Sequence, residues 1–127
     1  MSFSRWVFRI AGIYGLAVLV PQYFMEAQVG RMYPPVITHP EFFYGFLGVA
    51  VAWQVAFLLI AQDPTRYRLF MIPAVLEKFS FGVAALVLHA QGRIPSGALA
   101  GGIVDLVLCS LFLVALYSSA AKNDASA

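Results

Sequence analysis

The sequence predicts an all-α membrane protein, a bundle of four transmembrane helices with both termini in the cytoplasm. Its 127 residues are 61% hydrophobic and 11% charged, whereas an average soluble domain is about 25% charged. Four segments have the roughly 20 apolar residues that a helix needs to cross a bilayer core. They occupy most of the chain, so we expect one integral membrane domain covering residues 1–127, with the lipid bilayer as its first partner.

The same composition excludes other classes of protein. Eight basic and six acidic residues are too few to cover a soluble globule of this length. A net charge of +2 with no basic stripe argues against a nucleic-acid partner, because phosphate recognition needs many cations. The lone cysteine, Cys109, excludes a disulfide framework and a CxxC motif.

The first span covers approximately residues 4–27 and carries no charge between Ile10 and Met25. Its apolar run continues past Pro21, so we expect it to cross the membrane rather than to be a cleaved signal peptide. Gly30 follows the span, where a glycine commonly ends a helix.

The second span covers residues 41–62. The segment before it, Thr38-His39-Pro40-Glu41, fits a capping box in which Glu41 bonds back to the cap residue. The third span, residues 64–90, begins at Asp63-Pro64, which fits an N-cap followed by proline. Since almost no chain separates these two spans, we expect them to form an antiparallel hairpin.

The fourth span covers residues 96–119, with Ser96 as a plausible cap after Pro95. Gly92 lies just past the third span and is expected to end it. Arginine and lysine predominate in membrane loops that face the cytoplasm. The terminal segments and the second loop hold five of these cations, and the other two loops hold two: Arg5, Arg9, Arg66, Arg68 and Lys122 against Arg31 and Arg93. We therefore expect cytoplasmic termini and residues 28–37 outside, in a bacterial inner membrane.

Several polar residues fall inside the predicted spans. At 1.5 Å of rise per residue, one layer near the midplane contains Trp53, Gln54, Glu77, Lys78 and Asp105. Each ionisable residue at such depth costs about 2.5–3.5 kcal/mol on insertion scales. The simplest arrangement pairs Lys78 with Asp105 or Glu77. Because neighbouring residues point about 100° apart on a helix, the other would face the second span and meet Gln54.

Three interpretations of this layer remain open. The charges are internal contacts that fix helix register, a ligand or proton site, or contacts to a partner subunit. Three ionisable groups exceed what a single ion pair requires, which favours a site. In the fourth span, Gly97, Gly101, Asp105 and Cys109 recur every fourth residue, a pattern typical of close helix packing. We expect Cys109 to be a small filler and the bundle to leave little room for an aqueous pore.

A second polar group lies at the outer ends of the spans. It consists of Gln22, Glu26, His39, Glu41, His89 and Gln91. The two histidines lack the spacing of metal ligands, so we predict no metal site. The group is either ordinary interfacial polarity or the mouth of a site for a lipid-soluble ligand, covered by residues 28–37.

The layout resembles two groups of small membrane proteins, the bacterial DoxX-like proteins and the EXPERA group. The residues that carry the resemblance are Tyr23-Phe24-Met25-Glu26, the opening of the second span from Glu41 to Gly48, and Asp105. Likeness to the EXPERA group implies a cavity in which acids such as Glu26 and Glu77 bind a cationic or sterol-like ligand or move a proton. Gln54 replaces the second-helix acid expected there, and Lys78 is additional. Likeness to DoxX-like proteins implies an accessory subunit near quinone or thiol redox chemistry.

These observations lead to alternative functions. In the first, the protein binds a lipophilic molecule such as a quinone, a sterol-like lipid or an isoprenoid. Its predicted ligand-binding residues are Glu77, Lys78, Asp105, Gln54, Trp53 and Glu26. In the second, the chain is a structural or assembly subunit, with copies of itself or other membrane proteins as partners. A third, proton-coupled transport, requires oligomerisation. The sequence assigns neither an enzymatic activity nor a cofactor.

Overall fold

The computed structural model describes residues 2–126, and the side chains of residues 2–120. The side chain of Lys122, counted above for the orientation, lies outside the described residues. Within this range the chain is helical and contains no strand. The helices are α1 (Phe3–Leu19), α2 (Glu26–Met32), α3 (Pro40–Gln62), α4 (Met71–Ala90) and α5 (Ser96–Ser126). Four helical segments of the described part are long and apolar enough to cross a membrane, which confirms the predicted all-α class with four candidate spans, while the cytoplasmic termini stay a prediction.

The first predicted span is divided. After α1 the chain tightens into a 3-10 turn over Val20–Phe24 and then starts the short helix α2. Pro21 explains the break, because its ring has no N–H to donate and clashes with the preceding turn of an α-helix. Gly30 is buried inside α2, so the prediction that it ends the first span was wrong.

The residue that caps the start of α3 also differs from the predicted one. Pro40 is the first helical residue and His39 the cap, with no side-chain bond to the backbone. Proline favours the first helical position, which moves the cap from Thr38 to His39. Glu41 does not close a capping box, and its Oε1 lies 3.3 Å from His39 Nδ1.

The connection between α3 and α4 is longer than predicted. Asp63 ends α3, and its Oδ1 accepts a 3.2 Å hydrogen bond from the Arg66 N–H. A 3-10 turn over Arg68–Phe70 then precedes α4. The two helices run antiparallel as expected, but the predicted close hairpin was wrong, because this connection lets each helix pack on a different neighbour.

The bundle consists of two helix pairs, α1 with α3 and α4 with α5. Each pair approaches closely at a glycine. A Cβ added to Gly102 would overlap Ala85 in α4, and one added to Gly82 would lie 3.1 Å from the Gly102 carbonyl oxygen. In the other pair, a Cβ on Gly15 would overlap the Gln54 side chain. Small residues thus allow the close approach of the helices in both pairs, a kind of contact that is common between membrane helices.

The two pairs meet at one end of the bundle, which we name the packed half. Phe8, Phe57 and Phe112 are fully buried there. Phe8 stacks on Phe112 with ring centroids 4.2 Å apart, and Phe57 meets Phe112 edge-on at 5.0 Å. The remaining core residues are Val7, Ala11, Ile60, Ala61, Met71, Ala74 and Ala115. All belong to the end where α1 and α4 begin and α3 and α5 finish.

Candidate functional site

In the opposite half, an open-sided cavity of about 380 Å³ lies between the two helix pairs, within the size range of small-molecule sites in proteins. We name this region the cavity half. The apolar and aromatic lining residues are Tyr14, Val18, Leu19, Val29, Tyr33, Phe46, Ala50, Phe81 and Ala98. The glycine and polar lining residues are Gly15, Gly97, Gly101, Gln22, Gln54, Glu77, Lys78 and Asp105. Between the two helix pairs, the predicted tight packing therefore holds in the packed half, whereas in the cavity half it holds within each pair, as at Gly102 and Ala85.

Aromatic side chains close one side of the cavity. The rings of Phe46 in α3 and Phe81 in α4 stack with centroids 6.3 Å apart. In the packed half, two contacts join α1 to α5. Phe8 stacks on Phe112, and the Ser4 and Ser119 hydroxyl oxygens lie 3.2 Å apart.

Glycines account for the space along α5. A Cβ on Gly101 would have no neighbour within 4 Å. One on Gly97 would lie 3.1 Å from the Tyr33 hydroxyl oxygen, just after α2. Since Val29 also lines the cavity, α2 and Tyr33 cover its end. The segment predicted to roof a ligand mouth, residues 28–37, thus supplies two of the lining residues.

A charged layer forms the inner wall of the cavity. Lys78 Nζ lies 3.4 Å from Asp105 Oδ1 and 3.6 Å from Glu77 Oε2. The lysine side chain is 6% exposed, against 23% for Glu77 and 16% for Asp105. The predicted pairing across α4 and α5 is confirmed. With all three groups ionised, the layer carries one negative charge.

Lys78 also links this layer to the packed half. Its Nζ lies 5.3 Å from the centroid of the Phe57 ring, a distance at which a cation is attracted to an aromatic face. The ammonium group is therefore held by two carboxylates and one ring. This arrangement gives the lysine a defined position between the two halves.

Gln54 lines the cavity but does not meet the charged residues, contrary to prediction. Its Nε2 donates a 2.9 Å hydrogen bond to the Ala50 carbonyl one turn earlier in α3. Its Oε1 is buried without a hydrogen-bond partner, as is Glu77 Oε2. The amide lies against α1 because Gly15 has no side chain there. A buried acceptor without a donor costs about 1–3 kcal/mol.

Two predicted site residues lie apart from the cavity. The Trp53 ring packs 6.3 Å from the Phe57 ring and adjoins the packed half. Glu26 Oε2 accepts a 3.4 Å hydrogen bond from the Tyr44 hydroxyl. The structure thus brings Gln54 together with the three ionisable residues and leaves these two outside. Their part in ligand binding stays a prediction.

The small-residue stripe of α5 divides between two environments. Asp105 and Cys109 face α4, with the Cys109 thiol 3.8 Å from a carbonyl oxygen of that helix. Gly97 and Gly101 line the cavity, and Gly102 makes the close contact instead. A four-residue step turns about 400° around a helix, so the stripe drifts about 40° per step and leaves the α4 face.

The outer polar group is dispersed in the structure. His39 lies 3.3 Å from Glu41 on the surface, whereas His89 Nδ1 lies 3.3 Å from the Ile94 carbonyl oxygen. Among the residues described, no three histidine, cysteine or carboxylate side chains converge as metal ligands would. Gln22 alone of this group lines the cavity.

Sequence reasoning missed three aromatic lining residues, Tyr14, Phe46 and Phe81. Each lies in an apolar helix whose lipid-facing and buried sides have similar composition, so only the placement of the helices distinguishes them. Comparisons with protein-family models, curated proteins and solved structures found no match for this chain. The cavity and its charged wall are therefore the features from which we infer a function.

Proposed function

We propose that this protein is an integral membrane protein that binds a lipophilic small molecule in the cavity. The quinones, sterol-like lipids and isoprenoids are the ligand classes that fit this proposal. One observation carries it: a space of about 380 Å³ with mainly apolar walls reaches a buried charged layer. Most ligand sites combine an apolar lining with a few polar groups that orient the ligand.

In this proposal the ligand's apolar body lies against the aromatic walls, including Tyr14, Phe46 and Phe81. Its polar end lies at the layer formed by Glu77, Lys78 and Asp105 with Gln54. The partly exposed carboxylates offer acceptor atoms there. Apolar walls favour such a molecule over a charged metabolite, because a charge away from water needs a partner along its whole path.

The proposal includes an orientation and a location. The packed half faces the cytoplasm and the cavity half faces outward, in a bacterial inner membrane. The arginines support this orientation, since Arg5 bonds the last carbonyl of α3 at 3.3 Å and Arg68 bonds the Leu116 carbonyl at 3.1 Å. Both cations are therefore at the packed end, as the charge rule for cytoplasmic ends requires. The resemblance to EXPERA and DoxX-like proteins is part of the same proposal.

Native mass spectrometry of the protein, released gently from its own membrane, tests the ligand. The expected result is a discrete added mass in the range of a drug-sized molecule. We expect the Glu77→Gln and Asp105→Asn variants to lose this mass while still folding. Retention unchanged in both variants would overturn the assignment of the layer as the binding site.

A matched pair of glycine variants tests the cavity itself. Gly101→Leu places a side chain into the cavity, and its Cβ meets no atom within 4 Å. Gly45→Leu is the control, because Gly45 also has open space around it and does not line the cavity. We expect the first variant alone to lose the ligand. Equal retention in both would show that the ligand binds elsewhere.

A second candidate function is that of an assembly subunit. The observation in its favour is that Lys78 contacts both acids of its layer, which is what an internal structural contact needs. In this case the released protein would carry no ligand and would remain in a stoichiometric complex with other subunits. The same spectrum therefore separates the two functions.

A further inference from the structure

A second, smaller cavity lies at the packed end, outside the apolar core. Its volume is about 300 Å³, and we name it the terminal pocket. It lies between the start of α1, the turn after α3 and the end of α5. Six of its seven lining residues have polar side chains, the exception being Pro64: Ser2, Ser4, Arg5, Asp63, Thr65 and Ser119. This lining contrasts with the mainly apolar walls of the larger cavity.

Arg5 supplies the charge of the terminal pocket. One terminal nitrogen of its guanidinium donates a 3.3 Å hydrogen bond to the Gln62 carbonyl, which fixes the group beside the turn. Its Nε is buried and has no acceptor. A buried donor left without an acceptor is unfavourable, more so when it is charged. The Nε atom is itself inaccessible, but the bond to Gln62 uses one of the five guanidinium N–H groups, and the terminal nitrogens supply the donors for an acceptor from outside the protein.

Ser2 adds a further donor, whereas the hydroxyls of Ser4 and Ser119 are engaged within the protein. Ser2 Oγ accepts a 3.3 Å hydrogen bond from the Arg5 N–H, which leaves its own O–H hydrogen to donate. Ser4 donates to the Ala115 carbonyl at 3.3 Å and lies beside Ser119. These bonds hold the hydroxyls in place around the guanidinium. Donors grouped around an arginine are suited to an oxyanion.

The charge at this end is strongly asymmetric. In the described part of the chain, this end of the bundle holds four basic residues and one acidic residue. They are Arg5, Arg9, Arg66 and Arg68, with Asp63 as the acid. Asp63 lines the terminal pocket, but its Oδ1 is engaged by the Arg66 N–H at 3.2 Å. A carboxylate in the wall disfavours a doubly charged anion more than a singly charged one.

We infer that the terminal pocket binds a phosphate group, with Arg5 as its main contact. Its position at the ends of three candidate spans is the depth of a lipid headgroup. A singly charged phosphodiester can pair with the guanidinium and is repelled less by the Asp63 carboxylate than a doubly charged phosphate would be. Arginine is well suited to phosphate because its planar donors match the oxyanion. This inference is independent of the ligand proposed for the larger cavity.

The test uses the full chain in lipid nanodiscs of phosphatidylcholine, with or without a minor share of phosphatidylglycerol. Native mass spectrometry then measures which lipid the protein retains after gentle release. Both lipids carry a phosphodiester, but in phosphatidylcholine the choline cation offsets its charge, so we expect a preference for phosphatidylglycerol in the unmodified protein. Inorganic phosphate added as a competitor separates the sources: competition indicates a site for free phosphate, and no competition indicates a lipid headgroup. Absence of any preference, with no binding of inorganic phosphate, would overturn the inference.

Two arginine variants distinguish a site from general attraction to anionic lipid. We expect the Arg5→Gln variant to show a preference about tenfold weaker, since a hydrogen bond between charged groups is stronger than one between neutral groups. Arg66→Gln removes the same charge from the same end, but Arg66 is exposed, lies 5.4 Å over the Tyr67 ring and does not line the pocket. We expect it to change the preference less than about twofold, as for an exposed charge. Equal losses in the two variants would show diffuse attraction and overturn the site.

Arg5→Gln also removes the bond to Gln62, so its unfolding temperature is measured in phosphatidylcholine alone. Thr65→Val gives a second test that spares the fold, because Thr65 is exposed and valine has nearly the same shape. We expect this variant to weaken phosphate retention about threefold, by loss of one hydroxyl donor. If neither Thr65→Val nor Arg5→Gln changes retention, the terminal pocket does not bind phosphate.

Discussion

The packed half and the cavity half of this bundle are built from the same four long helices but with different side chains. In the packed half, three phenylalanine rings fill the centre, and small residues such as Ala11 and Ala74 let the helices approach. In the cavity half, Gly101 has open space around it, and Gly97 lets the Tyr33 hydroxyl come close. The comparison teaches that one end can provide the stability while the other keeps an open cavity, in which we propose that a ligand binds.

The charged layer lies at the boundary of these two halves. Lys78 contacts Asp105 and Glu77 on the cavity side and the Phe57 ring on the packed side. A change in this layer therefore affects both halves. Changes confined to one half are expected to separate stability from ligand binding, and the following variants are arranged by the size of the expected effect.

Lys78→Met is expected to have the largest effect, a loss of about 3–5 kcal/mol in the free energy of unfolding. It leaves two carboxylates in the layer without their cation. Reversible unfolding in detergent micelles measures the loss. The double variant Lys78→Met with Asp105→Asn should recover part of it, because one of the unpaired charges is removed as well. A double variant as unstable as the single one would show that the Lys78–Asp105 pair is not the source of the effect.

Phe112→Ala is expected to destabilise the protein by about 3 kcal/mol, since it leaves a hole between two buried rings. The same unfolding measurement applies. Phe42→Ala is the matched control, because Phe42 is 69% exposed in this structure and its loss should cost much less. Equal losses for the two variants would contradict the description of Phe112 as the centre of the packed half.

Two adjacent glycines of α5 give a sharper comparison. Gly102→Leu is expected to cost about 2 kcal/mol, because the new side chain meets Ala85 and pushes α4 away. In Gly101→Leu the new side chain starts in open space, so we expect the free energy of unfolding to be nearly unchanged. Thermal unfolding of the two variants side by side tests the expectation. Similar stabilities would mean that α4 and α5 are not held by the contact at Gly102.

Ser119→Ala is expected to have the smallest effect, about 1 kcal/mol, through loss of the hydroxyl contact with Ser4 across the α1–α5 seam. Ser118→Ala is the control. Its hydroxyl donates at 2.7 Å to the Val114 carbonyl of its own helix and is exposed, so it joins no two helices. A greater loss for Ser118→Ala than for Ser119→Ala would contradict the proposed role of the seam.

Much of this molecule follows from its sequence. The four spans are readable because an apolar segment of about 20 residues has few alternatives to a membrane helix. The pairing of Lys78 with Asp105 is readable too, since helical rise places both at one depth and a buried cation needs a counter-charge. Gly92 ends α4 with φ +71°, as a glycine after a helix is expected to do.

Tertiary structure alone decided which helices pair and where the space between them lies. A membrane helix is apolar on its lipid-facing and buried sides alike, so its sequence carries little periodic signal for its neighbours. For that reason the sequence did not show that α3 packs on α1 rather than on α4, or that Gly102 rather than Gly101 touches α4. The same reason accounts for Trp53, which shares the depth of the charged layer but points toward the packed half. Depth is set by position in the sequence, whereas direction is set by packing.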